Sequence, residues 1–207
     1  FREGIFQPAS LPATPGSDFA GIVAAVGDRV TEFEVGDRVH GACLGGNIPG
    51  SYAEYVTAPT DMVVHLPDEV SFEKGAAMGH VGVAAWHAVV NHGDVEPGEI
   101  CLIHGGGGGV GHIAVQIADA AGATVITTEA KESTRDKLEE IGADYTFDFR
   151  RDDLAEAITS VANPDLIIDY HFDNYIEFDI LNIAHGGRIC VIEYSAEEGS
   201  EATLPQQ

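Results

Sequence analysis

The stretch Ile100-Cys101-Leu102-Ile103-His104-Gly105-Gly106-Gly107-Gly108-Gly109-Val110-Gly111 decides the fold of this chain. Its first five residues form an apolar run that predicts a buried strand. Seven residues with six glycines follow, and from 111 to 121 the apolar residues recur at helical spacing. The sequence therefore predicts a strand, a tight glycine-rich loop and a helix in immediate succession.

The loop carries the spacing G-x-G-x-x-G at Gly106, Gly108 and Gly111. Between a strand and a helix, this spacing is typical of dinucleotide binding, because glycines allow a tight turn, a close backbone approach to a diphosphate and close helix packing. A flexible linker would have polar flanks, whereas a core strand and a helix flank this loop. The head of the helix would present amide groups to the anion. The predicted diphosphate-binding residues are Gly105, Gly106, Gly108, Gly109, Val110 and Gly111.

Three charged residues beyond the loop bear on which dinucleotide binds. Glu129 ends the second predicted strand, 18 residues after Gly111, where a carboxylate accepts hydrogen bonds from the adenosine ribose of NAD. Lys131 and Arg135 follow closely and could instead pair with the 2′-phosphate of NADP. All three could also belong to a solvated polar face. The sequence leaves the choice between NADH and NADPH open.

Strands and helices alternate through the second half of the chain. The predicted strands cover 100–104, 124–128, 145–147, 166–169 and 188–192, and the predicted helices cover 72–91, 111–121, 133–141 and 154–161, with another between the last two strands. The strands are apolar without alternation, which predicts a parallel sheet covered by helices on both faces. The fold class is therefore α/β, a Rossmann-type doubly wound sheet in which five of the usual six strands are found.

The first half of the chain, up to about residue 67, consists of short strand-like runs separated by Gly-Asp and Pro-Gly turns. The runs at 21–26 and 55–57 are strand candidates. This half is predicted to be mostly β.

The charge of the chain excludes two classes of partner. Asp and Glu number 34 against 10 Lys and Arg, which gives a net charge of −24. Nucleic acids and anionic membrane surfaces require a basic footprint, so neither is an expected partner. Self-repulsion at this density weakens the compact state in dilute salt, whereas molar salt shortens the Debye length to about 3 Å. We therefore hypothesise a salt-adapted, halophilic source.

Cysteine and histidine usage predicts a reducing compartment and no zinc site. Cys43, Cys101 and Cys190 are odd in number, widely spaced and without a C-x-x-C pair. Cys101 and Cys190 lie in apolar, strand-like runs and are expected to be small core residues. Cys43, His40 and His65 show no recognisable ligand spacing.

The chain has no apolar run of about 18 residues and no basic leader before an apolar segment. We expect neither a membrane span nor a signal peptide, and hence a cytoplasmic protein. The start at Phe1, without a Met, suggests a processed, trimmed or incompletely represented polypeptide.

Several motifs occur in a fixed order and carry a resemblance. They are Pro15-Gly16-Ser17-Asp18-Phe19-Ala20-Gly21, Val35-Gly36-Asp37-Arg38-Val39, Ser51-Tyr52-Ala53-Glu54-Tyr55, Leu66-Pro67-Asp68, Ser71-Phe72-Glu73, Pro97-Gly98-Glu99, the stretch 104–111, Gly142-Ala143-Asp144 and Gly186-Gly187-Arg188. With them the chain resembles, over nearly its whole length, the zinc-independent quinone oxidoreductase (zeta-crystallin-like) branch of the medium-chain dehydrogenase/reductase superfamily.

The resemblance implies a mostly-β GroES-like domain at 1–74 and a Rossmann domain at 75–207, with a cleft between them for NADPH and an electrophilic substrate. Relative to the family, the N-terminal strands and the last Rossmann strand are lacking, so both domains are expected to be incomplete at the chain ends. Zinc-bearing relatives have Gly-His-Glu where this chain has Gly16-Ser17-Asp18. The metal-ligand histidine is therefore absent.

Four residues depart from the family pattern. Phe6 stands where many quinone reductases have a cleft tyrosine, Ala84 where they often have a threonine near the nicotinamide, and Phe149 where a tyrosine often touches the adenosine. Glu129 replaces the small residue that tolerates a 2′-phosphate. These changes are compatible with reductase activity. The acidic Glu129 argues against the NADP preference of the family.

The implied activity is NAD(P)H-dependent reduction of quinones or α,β-unsaturated carbonyls by direct hydride transfer without a metal. Water can supply the proton, so no strong acid-base pair is needed. Tyr52 is the candidate catalytic residue, because its hydroxyl could donate a hydrogen bond to a developing oxyanion, although a packed aromatic is the commoner role. The alternatives are an enoyl or alcohol dehydrogenase of the same superfamily and a non-catalytic NAD(P)H-binding protein. The expected partners are a small quinone or enone and, as in other family members, a second copy in a homodimer.

Overall fold

A computed structural model of the chain describes residues 11–42, 49–170 and 172–192, with side chains from 174 onward in the last range. The chain divides into two compact units, one up to Val83 and one from Ala84. This division falls inside a continuous helix, α1 (Phe72–Trp86). The domain border after residue 74 therefore stays a prediction.

The first unit contains a three-stranded antiparallel sheet. Its strands are β1 (Phe19–Ile22), β2 (Arg38–Gly41) and β3 (Val63–His65), paired in that order. A short 3-10 turn over Thr60–Met62 leads into β3. The sheet agrees with the β structure that the sequence predicted for this half.

Two strand predictions in the first unit need correction. The run at 55–57 is not a strand, and within the described residues no segment forms a ladder with it. A strand exists only where a neighbour satisfies its backbone groups, and residue types alone do not reveal that neighbour. The run at 21–26 is a strand only as far as Ile22, after which the chain leads into turns.

The second unit is built on a five-stranded parallel sheet. Its strands are β4 (Ile100–Ile103), β5 (Thr124–Thr128), β6 (Tyr145–Phe147), β7 (Leu166–Asp169) and β8 (Arg188–Val191). They pair in the order β6-β5-β4-β7-β8, all in parallel. The order reverses at β4, which is the position where doubly wound sheets bind their ligands. The Rossmann-type sheet and its five predicted strands are confirmed.

Four helices connect these strands. They are α2 (Gly111–Ala120), α3 (Glu132–Glu140), α4 (Leu154–Val161) and α5 (Phe172–Asn182). The first three lie within a residue of their predicted bounds, and α5 lies between the last two strands, where a helix without stated bounds was predicted. The predicted helix at 72–91 is different, because α1 ends at Trp86 and a π-helical segment, His87–His92, continues it.

The parallel sheet is buried on both faces, which explains why its strands show no polar alternation. On β4, Cys101 and Ile103 pack on one face with residues of α2 and α3, while Leu102 packs on the other with residues of α4. Burial is the main cause that raises the pKa of the Cys101 thiol to about 12. Cys190 is partly buried against the first of these clusters. Both cysteines are therefore core residues, as predicted, while Cys43 lies outside the described residues.

Within the described ranges, no helix has the length and apolar character needed to cross a bilayer. The predicted lack of a sixth strand concerns residues from 193 onward, which lie outside the described residues, as does Phe6.

Candidate coenzyme site

The glycine-rich loop leaves the carboxyl end of β4 and turns at Gly105, whose φ is +66°. Its backbone is tied to the end of β5, because Gly105 N–H donates to Thr128 Oγ1 and Gly106 N–H donates to Thr128 O, both at 3.1 Å. Gly108 N–H then donates to Gly105 O at 2.9 Å. A left-handed residue costs least when it is glycine. The loop is a turn anchored to the sheet rather than a linker.

Helix α2 begins in close contact with the same turn. A Cβ on Gly111 would collide with Gly105 O and lie 2.8 Å from Gly106 Cα. Both neighbours are backbone atoms, so they cannot rotate away as a side chain could. Gly111 thus allows the close packing of helix against strand that its place in the spacing predicted.

Three amide groups at the head of α2 have no acceptor within the described part of the chain. The N–H groups of Gly109, Val110 and Gly111 donate to no protein oxygen there, and no side chain caps the helix at Val110. Unsatisfied first-turn amides and the helix dipole together favour an anion. This arrangement fits the diphosphate of a dinucleotide.

Glu129 lies beside this loop at the carboxyl end of β5. Its Oε1 accepts a hydrogen bond from Lys131 N–H at 2.9 Å. Its Oε2 lies against Gly107, where a Cβ would collide with it. The structure therefore holds a carboxylate at the edge of the loop where an adenosine ribose would lie.

Arg135 is already engaged by the protein. Its guanidinium Nη1 donates to Glu129 O and to Ala130 O, each at 2.9 Å, and lies 3.9 Å from an Asp148 carboxylate oxygen. The Lys131 side chain is exposed. Arg135 is thus placed near the predicted adenosine end, but its hydrogen bonds secure the backbone after β5.

Arg150 is a neighbour of this group that the sequence reasoning missed. Its Nη2 donates to Ala130 O at 3.0 Å, and its guanidinium forms two bonds with Asp148, at 2.6 and 2.9 Å. These bonds, with backbone bonding at residue 150, hold the pKa of Asp148 well below its usual range. The signal was available, since Arg150 follows β6, and the carboxyl ends of parallel strands meet at one edge of the sheet.

Tyr52 belongs to the first unit, whereas the other candidate residues belong to the second. Its N–H donates to Pro15 O at 2.9 Å, and its ring lies over Gly16, where a Cβ would be 2.6 Å from Tyr52 Cδ1. The side chain is 72% exposed. Packing against Gly16 therefore holds one edge of the ring and leaves most of it open to solvent.

The described residues show how the predicted lack of a zinc site looks in the fold. In the described ranges no three or more His, Cys, Asp or Glu side chains are grouped as metal ligands would be. His40 lies on β2 and His65 on β3, where the His65 ring packs against Phe33 at 4.9 Å. Cys43 is outside these ranges, and zinc independence stays a prediction.

Two family models match the chain. The alcohol dehydrogenase GroES-like domain matches residues 1–68, and the zinc-binding dehydrogenase family matches residues 109–206. The first match contains the three strands of the antiparallel sheet. The second begins inside the glycine-rich loop and includes β5, β6, β7 and β8, while β4 lies before it.

Known proteins are similar over most of the chain. Human quinone oxidoreductase is 36% identical over 197 residues, which are 94% of this chain and 57% of that protein. The crystal structure of Escherichia coli quinone oxidoreductase complexed with NADPH has a TM-score of 0.81 at 29% identity, covering 91% of this chain and 58% of that one. The crystal structure of an NAD-dependent alcohol dehydrogenase has a TM-score of 0.89 at 32% identity, covering 99% and 67%.

The chain thus spans little more than half the length of the curated relatives that it matches. Both family models, the identities and the shared Rossmann-type sheet agree with the resemblance carried by the ordered motifs. The chain belongs to the medium-chain dehydrogenase/reductase superfamily, in its quinone oxidoreductase, zeta-crystallin-like branch.

Proposed function

We propose that the protein is an NAD(P)H-dependent reductase of quinones or α,β-unsaturated carbonyls that works by direct hydride transfer without zinc. The observation that carries the proposal is the set of unsatisfied amides at Gly109, Val110 and Gly111, at the head of α2. The names of the similar proteins, quinone oxidoreductases at 36% and 38% identity, support the substrate class.

Each candidate residue has a role in this proposal. Gly105, Gly106 and Gly108 shape the turn, and the amides of residues 109–111 bind the diphosphate. Glu129 accepts hydrogen bonds from the adenosine ribose, and Lys131 and Arg135 line the same end. Tyr52 donates a hydrogen bond to the oxygen of the substrate, where negative charge develops.

The bound nicotinamide supplies the hydride, and this chemistry belongs to the coenzyme. The protein orients the two reactants, and water gives the proton that completes the reduction of the quinone or enone. No described residue needs to act as a strong acid, because orientation alone can supply much of the rate enhancement.

We propose NADH rather than NADPH as the preferred coenzyme. Glu129 holds its carboxylate against Gly107, and a 2′-phosphate at this place would meet a like charge. Two of the three nearby cations are engaged elsewhere, since Arg135 donates to backbone carbonyls and Arg150 pairs with Asp148. The third, Lys131, is exposed. The Escherichia coli relative, by contrast, was crystallised with NADPH.

Two other functions use the same loop. The similarity to an NAD-dependent alcohol dehydrogenase favours an alcohol or enoyl dehydrogenase of the same superfamily. A non-catalytic coenzyme-binding protein is the remaining alternative, which the predicted departure at Phe6 favours.

The deciding experiment is coenzyme oxidation by the purified chain in molar KCl. NADH and NADPH are each offered with a simple quinone, a 2-alkenal or a ketone, and the loss of reduced coenzyme is followed with and without a zinc chelator. We expect chelator-resistant turnover of the quinone or the alkenal with NADH. Binding without turnover would favour the non-catalytic alternative, and chelator-sensitive ketone reduction would favour the alcohol dehydrogenase.

The acidic surface supports a further part of this proposal, a cytoplasmic protein adapted to salt. With a net charge of −24, repulsion in the folded state is relieved when salt screens it. We expect the midpoint of thermal unfolding to rise between dilute buffer and molar KCl. An unchanged or falling midpoint would contradict salt adaptation and leave the coenzyme site unaffected.

A further inference from the structure

The root of the glycine-rich loop, defined here as His104 and Gly105, is held from three sides. His104 N–H donates to Ile168 O of β7, and Gly105 N–H donates to Thr128 of β5, both at 3.1 Å. The third hold is the His104 side chain, whose Nε2 lies 2.8 Å from Asp179 Oδ1 on α5. Helix α5 is therefore joined to the start of the loop through one imidazole.

Helix α5 contacts that imidazole with a single face. Tyr175 stacks on the His104 ring with centroids 4.2 Å apart and an angle of 13°, and Phe178 meets it edge-on at 5.7 Å. Tyr175, Phe178 and Asp179 are spaced i, i+3 and i+4, so they share one helical face. Packing and hydrogen bonding together fix the orientation of the ring.

The His104–Asp179 hydrogen bond has no substitute nearby. Both side chains are at most 1% exposed, so water does not reach them. His104 Nδ1 and Asp179 Oδ2 are buried without a partner among the described residues. Losing the bond between Nε2 and Oδ1 would therefore leave buried polar groups unsatisfied.

We infer that His104 and Asp179 are positioning residues of the coenzyme site, whose hydrogen bond holds the loop root in the orientation that directs the amides of residues 109–111 toward the diphosphate. The inference rests on the proposed coenzyme binding. It assigns to α5, which carries none of the candidate ligands, control over coenzyme affinity. The pair acts through the loop and not through contact with the coenzyme.

Matched variants separate this role from ordinary stability. Asp179→Asn keeps an oxygen that accepts from Nε2–H, and His104→Gln keeps a donor at a similar distance from the backbone. Asp179→Ala and His104→Leu remove the bond. We expect the NADH dissociation constant to rise about tenfold in the second pair and to stay within about threefold of wild type in the first.

The control is Arg188→Ala, which breaks a clamp to Glu99 at the other end of β4. It should lower the melting temperature without changing the NADH dissociation constant, when both are measured where the protein is folded. Equal NADH affinity in Asp179→Ala and wild type would overturn the inference and leave the proposed function intact. A wild-type chain that binds no NADH would instead refute the proposed function.

A measurement on the wild-type chain covers the case in which the disruptive variants do not fold. Coupling between two sites is reciprocal. If the His104–Asp179 hydrogen bond raises the affinity for NADH, bound NADH must stabilise that hydrogen bond in turn. We expect bound NADH to slow hydrogen exchange at the backbone amides of 175–179 on α5 by severalfold more than on α4. Equal or absent slowing on the two helices would overturn the inference.

Discussion

The two ends of the parallel sheet differ in how their polar groups are satisfied. At the amino end, the Asp165 carboxylate accepts from Ile100 N–H at 2.9 Å, and the Asp144 carboxylate accepts from Val125 N–H at 2.8 Å. At the carboxyl end, the amides of residues 109–111 have no acceptor among the described residues. Strand β4 thus runs from an amino end whose amides are bonded to carboxylates, which we call the closed end, to a carboxyl end with unbonded amides, which we call the open end.

Arg188 strengthens the closed end. Its guanidinium forms two bonds with the Glu99 carboxylate, at 2.9 and 2.7 Å, and donates to Gly93 O at 2.6 Å and to Asp94 O at 3.2 Å. These bonds join the first residue of β8 to the chain before β4. One end of the sheet thus stabilises the fold, while the other keeps unsatisfied donors for a ligand.

A substitution that distorts the loop at the open end should have the largest effect on coenzyme affinity. In Gly111→Ala, the new Cβ must displace the backbone of Gly105 and Gly106, which shifts the loop. We expect the NADH dissociation constant to rise by about 100-fold or more, which equals about 2.8 kcal/mol. The control is Gly82→Ala, where the nearest atom to the new Cβ is 4.0 Å away, and its affinity should match wild type in the same fluorescence titration.

Removing the Arg188–Glu99 ion pair at the closed end should lower the stability of the fold without weakening coenzyme binding. Arg188→Ala leaves the partly buried Glu99 without its guanidinium, and we expect the free energy of unfolding to fall by about 2 kcal/mol. Urea denaturation measures this change, and NADH titration of the folded protein should show none. Weaker binding with unchanged stability would reverse the assignment of the two ends.

The stability of Arg188→Ala should also depend on pH differently from that of the wild type. The Arg188 hydrogen bonds are the main cause that lowers the pKa of Glu99 below its ordinary value of 4.5. A carboxyl with a lowered folded pKa stabilises the protein above its ordinary pKa, and this stability is lost as the pH falls through the lowered value. Arg188→Ala should therefore lose less stability than wild type between neutral pH and pH values below 4.5.

A smaller effect is expected on the preference of the open end for NADH over NADPH. Glu129→Gln removes the negative charge beside Gly107 and keeps an oxygen for Lys131 N–H. We expect the ratio of NADPH to NADH dissociation constants to fall about tenfold, because the like-charge repulsion is lost. Glu132→Gln, an exposed change in the first turn of α3, is the matched control. An equal shift in both would mean that net charge alone, and not the place of Glu129, sets the preference.

The smallest effect is expected at an exposed ion pair outside the glycine-rich loop. The Arg151–Asp153 ion pair is short at 2.6 Å, but its side chains are 36% and 57% exposed to solvent. Exposed pairs contribute little, because water and salt screen them. Asp153→Asn should leave the NADH affinity unchanged and the melting temperature within about 1 °C of wild type. A larger shift would show that this exposed pair stabilises the fold more than solvent screening allows.

The second unit followed closely from the sequence, and the reason is local. Its strands are buried on both faces, so each is a continuous apolar run, and its loop requires glycine at Gly105 and Gly111. In the first unit the run at 55–57 has strand-like residues but no paired neighbour among the described residues. Pairing is a long-range property that a local pattern does not contain.

The candidate site was predictable in part for the same reason. The glycine spacing and Glu129 are local signals, so they were found. Arg150 and the His104–Asp179 pair lie 20 and 75 residues from their partners in the chain. Arg150 could have been inferred from its place after β6, because the carboxyl ends of parallel strands meet at one edge of the sheet. The His104–Asp179 pair is brought together only by the fold, and neither spacing nor composition indicates it.

Binding of the coenzyme diphosphate by the loop amides is tested most directly by an amide NMR titration of the nitrogen-15-labelled chain with NADH. We expect saturable shifts at the amides of Gly109, Val110 and Gly111, with little change at Ile100 and Val125, whose amides are already bonded to carboxylates. Unchanged signals in the loop, or shifts of equal size at the amino end of the sheet, would contradict it.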